Sequence, residues 1–327
     1  MLAAVTAATA LTAFTAPPAS HLRISTAYEL PGDRVYPEGI GADPRSDRLY
    51  AASYENGAVY RMTPGHRVAE TFLPPGADGR HTANGLKVDR AGRLWVTDST
   101  SGVFVYDTRT RELLARFDVP RDAGKDTRDP AFVNDVTLTP DGSAYLTDST
   151  RGVVYRVTSG QLAHVRAHGG RGELVPRFDL TGLLPEAPPG GKPSALNGIV
   201  AGPGGRYLLT ADMIHGGLYR LDPATGEAER VALRGGDLRN ADGLEAAGGK
   251  LWAVHNTDYA LSRWRLDRDG TAAHLERRES DPALQLPTTV AREHGTLYVV
   301  RSQFDKGGPM GPGTPQTPFT VAAVRGL

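Results

Sequence analysis

The feature that most constrains the fold is an internal repeat. The stretch ANGLKVDRAGRLWVTDSTSGVFVYD, residues 83–107, alternates apolar and polar residues, breaks at a turn and alternates again. Similar stretches begin at Pro37, Val133, Leu196, Ala241 and Pro287. Most copies are about 45 residues apart, and a period of that size with short strands and tight turns is typical of a β-propeller blade.

Six copies predict an all-β, six-bladed β-propeller with four strands per blade. The high content of Gly (39) and Pro (24) also favours many short strands and turns. The sixth copy has no clear fourth strand, and residues 21–30 precede the first copy without a blade of their own. We therefore expect this N-terminal strand to pair into the last blade and close the ring, which makes residues 21–327 one domain.

The first twenty residues are small and mostly apolar, and they end in a Pro-containing spacer. This pattern resembles the latter part of a secretion signal, although a positively charged n-region is missing. We expect a secreted or extracytoplasmic protein. The alternative is a disordered Ala/Thr tail on a cytoplasmic protein.

Charge and cysteine content exclude several classes of function. Lys plus Arg and Asp plus Glu number 37 each, so the net charge favours neither nucleic acid nor an anionic membrane as a partner. No apolar run is long enough for a membrane helix. The absence of Cys removes thiolate metal sites and thiol nucleophiles. We expect a monomer that acts on a small molecule.

A polar residue stands at the head of each repeat. In a propeller the first strand of every blade lines the central channel, so these six heads form one ring. They are Glu38, Asn84, Asn134, Asn197, Asp242 and Thr288. Several carboxylate and amide oxygens around one axis are the ligands that Ca²⁺ prefers, and Zn²⁺, Mn²⁺ or Mg²⁺ are alternatives. The competing interpretation is that Asn-Gly and Asp-Gly pairs are turn formers, but a turn would not favour the Glu of YPEGI.

The heads PEG, ANG, VND, LNG and ADG, together with the repeat, resemble a family of gluconolactonase- and regucalcin-like six-bladed propellers. Diisopropyl fluorophosphatase, paraoxonase and strictosidine synthase are more distant relatives. The similarity covers nearly the whole chain after residue 30. In that family a Glu, two Asn and an Asp hold a catalytic divalent cation, usually calcium. The resemblance implies the same role here for Glu38, Asn134, Asn197 and Asp242, and a substrate-facing role for Asn84.

These residues favour an enzyme, a calcium-dependent hydrolase of a lactone, an ester or an organophosphate-like bond. A cation in the channel would polarise the substrate, and Asp242 would act as base or nucleophile. One alternative is a non-catalytic secreted propeller that binds a ligand or partner with a structural cation. Another is a lyase or cyclase of secondary metabolism.

A second series of polar residues ends the second strands: Asp98, Asp148, Asp212 and His255. These residues could surround the site, but Asp-Ser-Thr after a strand is also good turn chemistry. Three histidines, His81, His215 and His255, are predicted near the channel mouth. His255 is the first candidate for proton transfer, and His81 and His215 are candidates for substrate contact. The Gly/Pro-rich loops 167–195 and 303–318 are predicted to border one face.

Overall fold

Short strands make up almost all of the regular structure in the computed structural model, which describes residues 22–120, 130–187 and 189–327. The strands follow the repeats. The tight turns that separate the first and second strands use glycines with left-handed backbone, such as Gly92 (φ 83°) and Gly142 (φ 81°). The segments of each copy that alternate apolar and polar residues are therefore strands, and neighbouring strands pair antiparallel.

The strands of the first half of the chain form three blades after an initial strand, β1 (Arg23–Leu30). Blade one contains β2 (Pro37–Ala42), β3 (Leu49–Ser53), β4 (Val59–Met62) and β5 (Glu70–Leu73). Blade two contains β6 (Leu86–Val88), β7 (Arg93–Asp98), β8 (Gly102–Asp107) and β9 (Leu113–Asp118). Blade three contains β10 (Val133–Leu138), β11 (Ala144–Asp148), β12 (Val153–Val157) and, after helix α1 (Ser159–Ala167) and strand β13 (Arg171–Glu173), β14 (Val175–Asp179).

The second half of the chain forms the other three blades. Blade four contains β15 (Leu196–Ala201), β16 (Leu208–Asp212), β17 (Gly217–Leu221) and β18 (Ala228–Arg230). Blade five contains, after β19 (Ala232–Arg234), strands β20 (Ala241–Ala247), β21 (Lys250–His255), β22 (Ala260–Leu266) and β23 (Ala272–Ser280). Blade six contains β24 (Pro287–Glu293), β25 (Thr296–Arg301) and β26 (Phe319–Arg325). Short 3₁₀ helices lie at Ala77–Gly79, Pro203–Gly205 and Pro282–Leu284.

The ring is closed as the sequence predicts. Strand β1 pairs antiparallel with β26, from Arg23 opposite Arg325 to Leu30 opposite Phe319, and becomes the outermost strand of blade six. Glu29 of the same strand also forms a parallel bridge with Val68 next to blade one. The N-terminal strand thus connects the last blade to the first and covers an edge that would otherwise be exposed.

The apolar core is divided among the blades. Six clusters of buried side chains occur, one between each pair of neighbouring sheets. The cluster between blades one and two, for example, packs Tyr50 and Phe72 against Phe104 and Tyr106. Because each sheet packs on both faces, central strands such as β3 are buried along their whole length.

Two blades differ from the four-strand prediction. Strand β13 adds to blade two by parallel pairing with β9, and β19 adds to blade five by parallel pairing with β23. The loop predicted at 167–195 is therefore partly strand, because β13 covers the edge of blade two and β14 is the fourth strand of blade three. Parallel pairing between segments far apart in sequence leaves no local pattern in the chain.

The signal-like segment predicted at residues 1–20 lies outside the described residues. Within the described ranges, no helix has the length and hydrophobicity needed to cross a bilayer.

Candidate metal centre and active site

The inner strand of a blade begins with a β-bulge that redirects a polar side chain. In blade one Pro37 pairs with Ser53 and Ile40 pairs with Ala51, so Glu38 and its neighbour together face a single residue of β3. Equivalent shifts occur between Val133 and Val136, Leu196 and Ile199, Ala241 and Leu244, and Pro287 and Val290. Bulges next to binding sites commonly redirect a side chain, and here the head residue occupies the bulge.

Glycines after the heads allow the inner strands to approach closely. A Cβ atom added to Gly39 would lie 2.0 Å from the backbone oxygen of Asn84, and one added to Gly198 would lie 2.4 Å from that of Asp242. Neither glycine has a left-handed φ. The interpretation of Asn-Gly as a turn is therefore wrong at Gly198, since the glycine is required by contact between neighbouring blades.

The inner strands contact one another in sequence around the ring, from β2 through β6, β10, β15, β20 and β24 and back to β2. Four heads line one cavity: Glu38, Asn134, Asn197 and Asp242. Each of these side chains is only 4–6% exposed. The structure thus brings together residues that are up to about two hundred positions apart in the sequence.

Hydrogen bonds from the end of the second strand orient the heads. The Asn134 amide nitrogen donates to Ser149 Oγ at 3.0 Å, which turns its Oδ1 away from the strand. Asn256 Nδ2 donates to Asp242 Oδ2 at 3.0 Å. As a result, Oδ1 of Asn134, Oδ1 of Asp242 and Oε2 of Glu38 are buried and have no hydrogen-bond partner. Three acceptor oxygens without a donor at one site are unusual, because buried polar atoms are normally paired.

The electrostatics of the site follow from its burial. Burial raises the pKa of Glu38 well above its usual range, and the nearby carboxylates of Asp242 and Asp135 raise it further. Burial also raises the pKa of Asp242 to about 7, against the effect of the hydrogen bond from Asn256. Negative charge in this site is costly unless a cation compensates it.

Sequence reasoning missed Asp135 as a member of this environment. It occupies the position that is glycine after the heads of blades one, two, four and five. Its carboxylate accepts hydrogen bonds from the backbone N–H groups of Val136 (2.8 Å) and Ile199 (3.2 Å), and burial raises its pKa. In VND an Asp stands where a glycine follows four of the other heads, and this difference is the sequence signal that could have identified Asp135. Asp135 adds a third buried carboxyl group to the site.

The cavity has a volume of about 540 Å³. The four heads form its floor, and both Gly/Pro-rich loops contribute to its walls, through Ser194 on one side and Phe304 and Met310 on the other. The prediction that these loops border the same face is therefore confirmed. The volume lies within the range of sites that bind small molecules.

The structure does not bring the other ring residues to the cavity. Asn84 is fully buried and does not line it; its amide nitrogen donates to Ser99 Oγ at 2.8 Å. Thr288 is also fully buried and donates to the backbone oxygen of Glu38 at 2.7 Å. Both side chains connect neighbouring blades at the level of the site.

His255 is not at the mouth, which corrects the sequence prediction. Its side chain is fully buried, with Nδ1 2.7 Å from the Arg239 backbone oxygen and Nε2 2.8 Å from Ser262 Oγ. Burial lowers its pKa to about 4. Both ring nitrogens are occupied by the protein, so a substrate in the cavity has no access to them.

The other two histidines also lie outside the cavity. His81 is exposed, and its backbone N–H donates to Asp98 Oδ2 at 2.6 Å. His215 Nδ1 lies 3.0 Å from Asp212 Oδ2 and 3.1 Å from Ser194 Oγ. His215 therefore contacts a residue of the cavity wall without lining the cavity itself.

The acidic residues that end the second strands are structural. Asp98 accepts from Thr82 N–H, Asp148 from Phe132 N–H and Asp212 from Ala195 N–H, at 3.0 to 3.1 Å. Each bond fixes the loop that leads into the inner strand of the same blade. This confirms the interpretation of these residues as turn and blade-corner groups and shows how they position the heads.

A second group of possible metal ligands lies at the other ends of the strands. Asp47 lies between β2 and β3, Glu293 is the last residue of β24, and His294 follows it. One ligand atom of each lies within 4.8 Å of the others. In contrast to the heads, Asp47 and His294 are exposed to solvent.

Comparisons with known proteins show the fold. No protein-family model and no curated protein matches the sequence. Similar solved structures include the allergen Mala s 1 of Malassezia sympodialis (TM-score 0.64, 16% identity, 95% of this chain and 97% of that one). A gluconolactonase from Xanthomonas campestris has a TM-score of 0.59 and 15% identity, with 93% and 89% covered. Virginiamycin B lyase from Staphylococcus aureus has a TM-score of 0.58 and 11% identity, with 94% and 100% covered. The likeness to gluconolactonase-like propellers is thus confirmed for the fold.

Proposed function

We propose that this protein is a metal-dependent hydrolase that cleaves a lactone, an ester or an organophosphate-like bond in a small molecule. The observation that carries the proposal is the set of unpartnered buried oxygens on Glu38, Asn134 and Asp242 at the floor of the cavity. Buried acceptors without donors are costly, and a cation satisfies all of them at once.

The residues present fit a hard divalent cation. Two carboxylates, Glu38 and Asp242, and two amides, Asn134 and Asn197, would hold it, with water or substrate oxygens as the remaining ligands. All four side chains offer oxygen, and this favours Ca²⁺ over Zn²⁺, which prefers nitrogen and sulfur. The carboxyl group of Asp135 adds negative charge nearby.

The bound cation would act as a Lewis acid toward the carbonyl or phosphoryl oxygen of the substrate. Asp242 lines the cavity, and Asn256 holds one of its two carboxylate oxygens. A carboxylate fixed in this way beside an electrophilic carbon or phosphorus can accept a proton from water or attack directly. Ser149 keeps the Asn134 amide in the orientation that presents oxygen to the site.

The lyase alternative has a fold neighbour but less support from the site. One related solved structure is of a virginiamycin B lyase that a histidine-to-alanine substitution makes catalytically inactive. Among the described residues that line the cavity here there is no histidine, and His255 is buried with both nitrogens bonded. A binding protein with a structural cation would share the same geometry, so only a test of turnover distinguishes it from the hydrolase.

The test compares the wild type with Asp242→Asn. Calcium binding is measured by calorimetry on chelator-stripped protein, and acid release is followed on a panel of lactones, aryl esters and phosphotriesters. At saturating calcium we expect the variant to lose at least about a hundredfold in turnover while it still binds calcium, more weakly than the wild type, since the amide keeps one oxygen ligand but carries no charge and cannot act as base or nucleophile. Asp47→Asn, at the exposed cluster, is the control and should behave as the wild type.

Two outcomes would contradict the proposal. Calcium binding by the wild type without turnover of any of the three substrate classes would favour the binding protein. Absence of divalent cation binding would remove the metal site itself. A monomeric, secreted state is also proposed, and light scattering together with the N-terminal sequence of the exported protein would test it.

A further inference from the structure

We propose that the substrate carries an apolar substituent next to the bond that is cleaved, and that the site selects against polyhydroxylated lactones. This inference rests on the proposed hydrolase function and assigns its substrate class. It follows from the chemistry of the cavity walls, which differs sharply from that of the floor.

The walls above the four polar heads are mainly apolar. The side chains that provide this surface are Phe132, Met213, Ile214, Phe304, Pro309 and Met310. Met310 is 46% exposed, one of the few large apolar side chains of the described chain with so much surface in water. An exposed apolar surface that continues into a cavity is typical of a site that buries an apolar ligand.

Most hydroxyl groups of the walls are already used by the protein. Ser149 Oγ accepts from Asn134 and donates to the backbone oxygen of Leu196. Thr150 Oγ1 donates to the backbone oxygen of Pro130 at 2.6 Å.

Of the two remaining hydroxyls, that of Ser194 is committed in the same way and that of Tyr54 is not. Ser194 Oγ donates to the backbone oxygen of Pro185 at 3.0 Å and lies 3.1 Å from His215 Nδ1. The phenol of Tyr54, which is half-buried, has no hydrogen bond to the described part of the chain, and burial raises its pKa. A sugar lactone brings several hydroxyls, and each needs a partner when it leaves water. These walls offer few such partners, the Tyr54 phenol and the exposed Lys192.

The apolar wall is held in place before any ligand binds. Tyr36 donates its hydroxyl to the backbone oxygen of Lys306 at 3.0 Å. Gln303 and Gln316 exchange two hydrogen bonds of 2.9 and 2.7 Å across the base of the loop that carries Met310. A fixed wall does not have to be ordered at binding, so burial of an apolar group contributes directly to affinity.

The first experiment measures binding without catalysis. The probes are cyclohexanones that carry alkyl chains of two, four, six and eight carbons, which cannot be hydrolysed, and 1,5-anhydroglucitol as an inert polyol. For the calcium-loaded protein we expect Kd to fall by about twofold to fourfold for each added methylene until the wall is covered. A Kd that does not change with chain length, or tighter binding of the polyol, would overturn the proposal.

The second experiment measures turnover of δ-lactones with the same alkyl chains beside glucono-δ-lactone. We expect kcat/KM to rise with chain length and to exceed that of the sugar lactone by at least about tenfold. Equal or better turnover of glucono-δ-lactone would overturn the substrate class and leave the hydrolase intact. If no lactone, aryl ester or phosphotriester is cleaved, the hydrolase function is wrong, and the binding series still decides whether the cavity takes apolar ligands.

A substitution in the apolar wall tests whether this surface binds the alkyl chain. Met310→Gln should weaken binding of the eight-carbon probe by about threefold to tenfold and leave the two-carbon probe unchanged, because the side chain is at the rim. Leu113→Gln changes a comparably exposed apolar residue on β9, outside the cavity, and should alter neither. Equal effects of the two substitutions would contradict the assignment of the wall.

Discussion

Asn256 donates its side-chain amide to Oδ2 of Asp242 at 3.0 Å and leaves Oδ1 of that carboxylate without a partner. Asn256 directly follows β21, the second strand of blade five, and Asp242 stands at the head of the inner strand β20. Asn134 is oriented in the same way. It stands at the head of an inner strand and donates to Ser149, which follows the second strand of its blade. The sequence pattern does not distinguish Asn256, because an Asn after a strand is typical of a turn.

Substitution of Asn256 by Ala should weaken the metal site. Loss of the donor frees the carboxylate of Asp242 to rotate and leaves a second buried oxygen unpaired. We expect Kd for Ca²⁺ to rise about tenfold to a hundredfold, as measured by calorimetry, with little change in the circular dichroism spectrum. Asn56→Ala, which removes a turn amide in blade one, is the control. An unchanged calcium affinity in Asn256→Ala would show that the orientation of Asp242 does not depend on this bond.

Calcium should stabilise the folded chain through the heads of the inner strands. At a hundredfold excess over Kd, ligation of the native state alone contributes about 2.7 kcal/mol, so thermal unfolding should shift upward on addition of Ca²⁺ and return with chelator. Glu38→Gln should remove most of this shift. Glu293→Gln, in the exposed cluster with Asp47 and His294, should retain it. The reverse result would place the cation at the exposed cluster.

The buried His255 should make stability depend on pH. Its pKa is lowered from 6.5 to about 4, so between these values the unfolded chain binds a proton that the folded chain does not. Through His255 alone, stability falls as the pH decreases from 6.5 to 4, by up to about 3 kcal/mol, while the raised pKa of Asp242 acts in the opposite direction over this range. The contribution of His255 is the difference between two proteins: in urea unfolding at several pH values, the wild type should lose up to about 3 kcal/mol more than His255→Gln between pH 6.5 and 4. The exposed His81 provides the control, and His81→Gln should follow the wild-type dependence of stability on pH. A wild type that loses no more stability than His255→Gln as the pH falls, with His81→Gln also unchanged, would contradict the prediction.

The close approach of blades four and five predicts that Gly198 tolerates no side chain. An added Cβ would lie 2.4 Å from the backbone oxygen of Asp242 and 2.7 Å from the backbone nitrogen of Leu244. Gly198→Ala should reduce the free energy of unfolding by about 1–3 kcal/mol and also weaken calcium binding, because the two inner strands must separate. Gly182→Ala meets no atom within 4 Å and should change neither quantity by more than about 0.5 kcal/mol. Equal effects of the two changes would argue against strand contact.

Much of the site could be predicted because repeats make equivalent positions visible. The head residues Glu38, Asn134, Asn197 and Asp242 stand out by alignment of the copies with one another, and the fold places them on one axis. The partners that orient them could not be predicted in the same way. The equivalent position is Ser in blades two, three and six but Asn in blade five, and the role of Ser149 and Asn256 depends on the direction of a hydrogen bond.

The number of blades, the closing strand β1 and the polar ring are all predictable from the repeats, since alternation and repeat period are local properties of the chain. The tertiary structure decided which ring members face the cavity. Asn84 and Thr288 bond to neighbouring blades and are closed off, while four other heads remain at the floor. It also decided that His255 is buried and that β13 joins blade two. These outcomes depend on contacts between segments far apart in the chain, and such contacts form only when the ring closes.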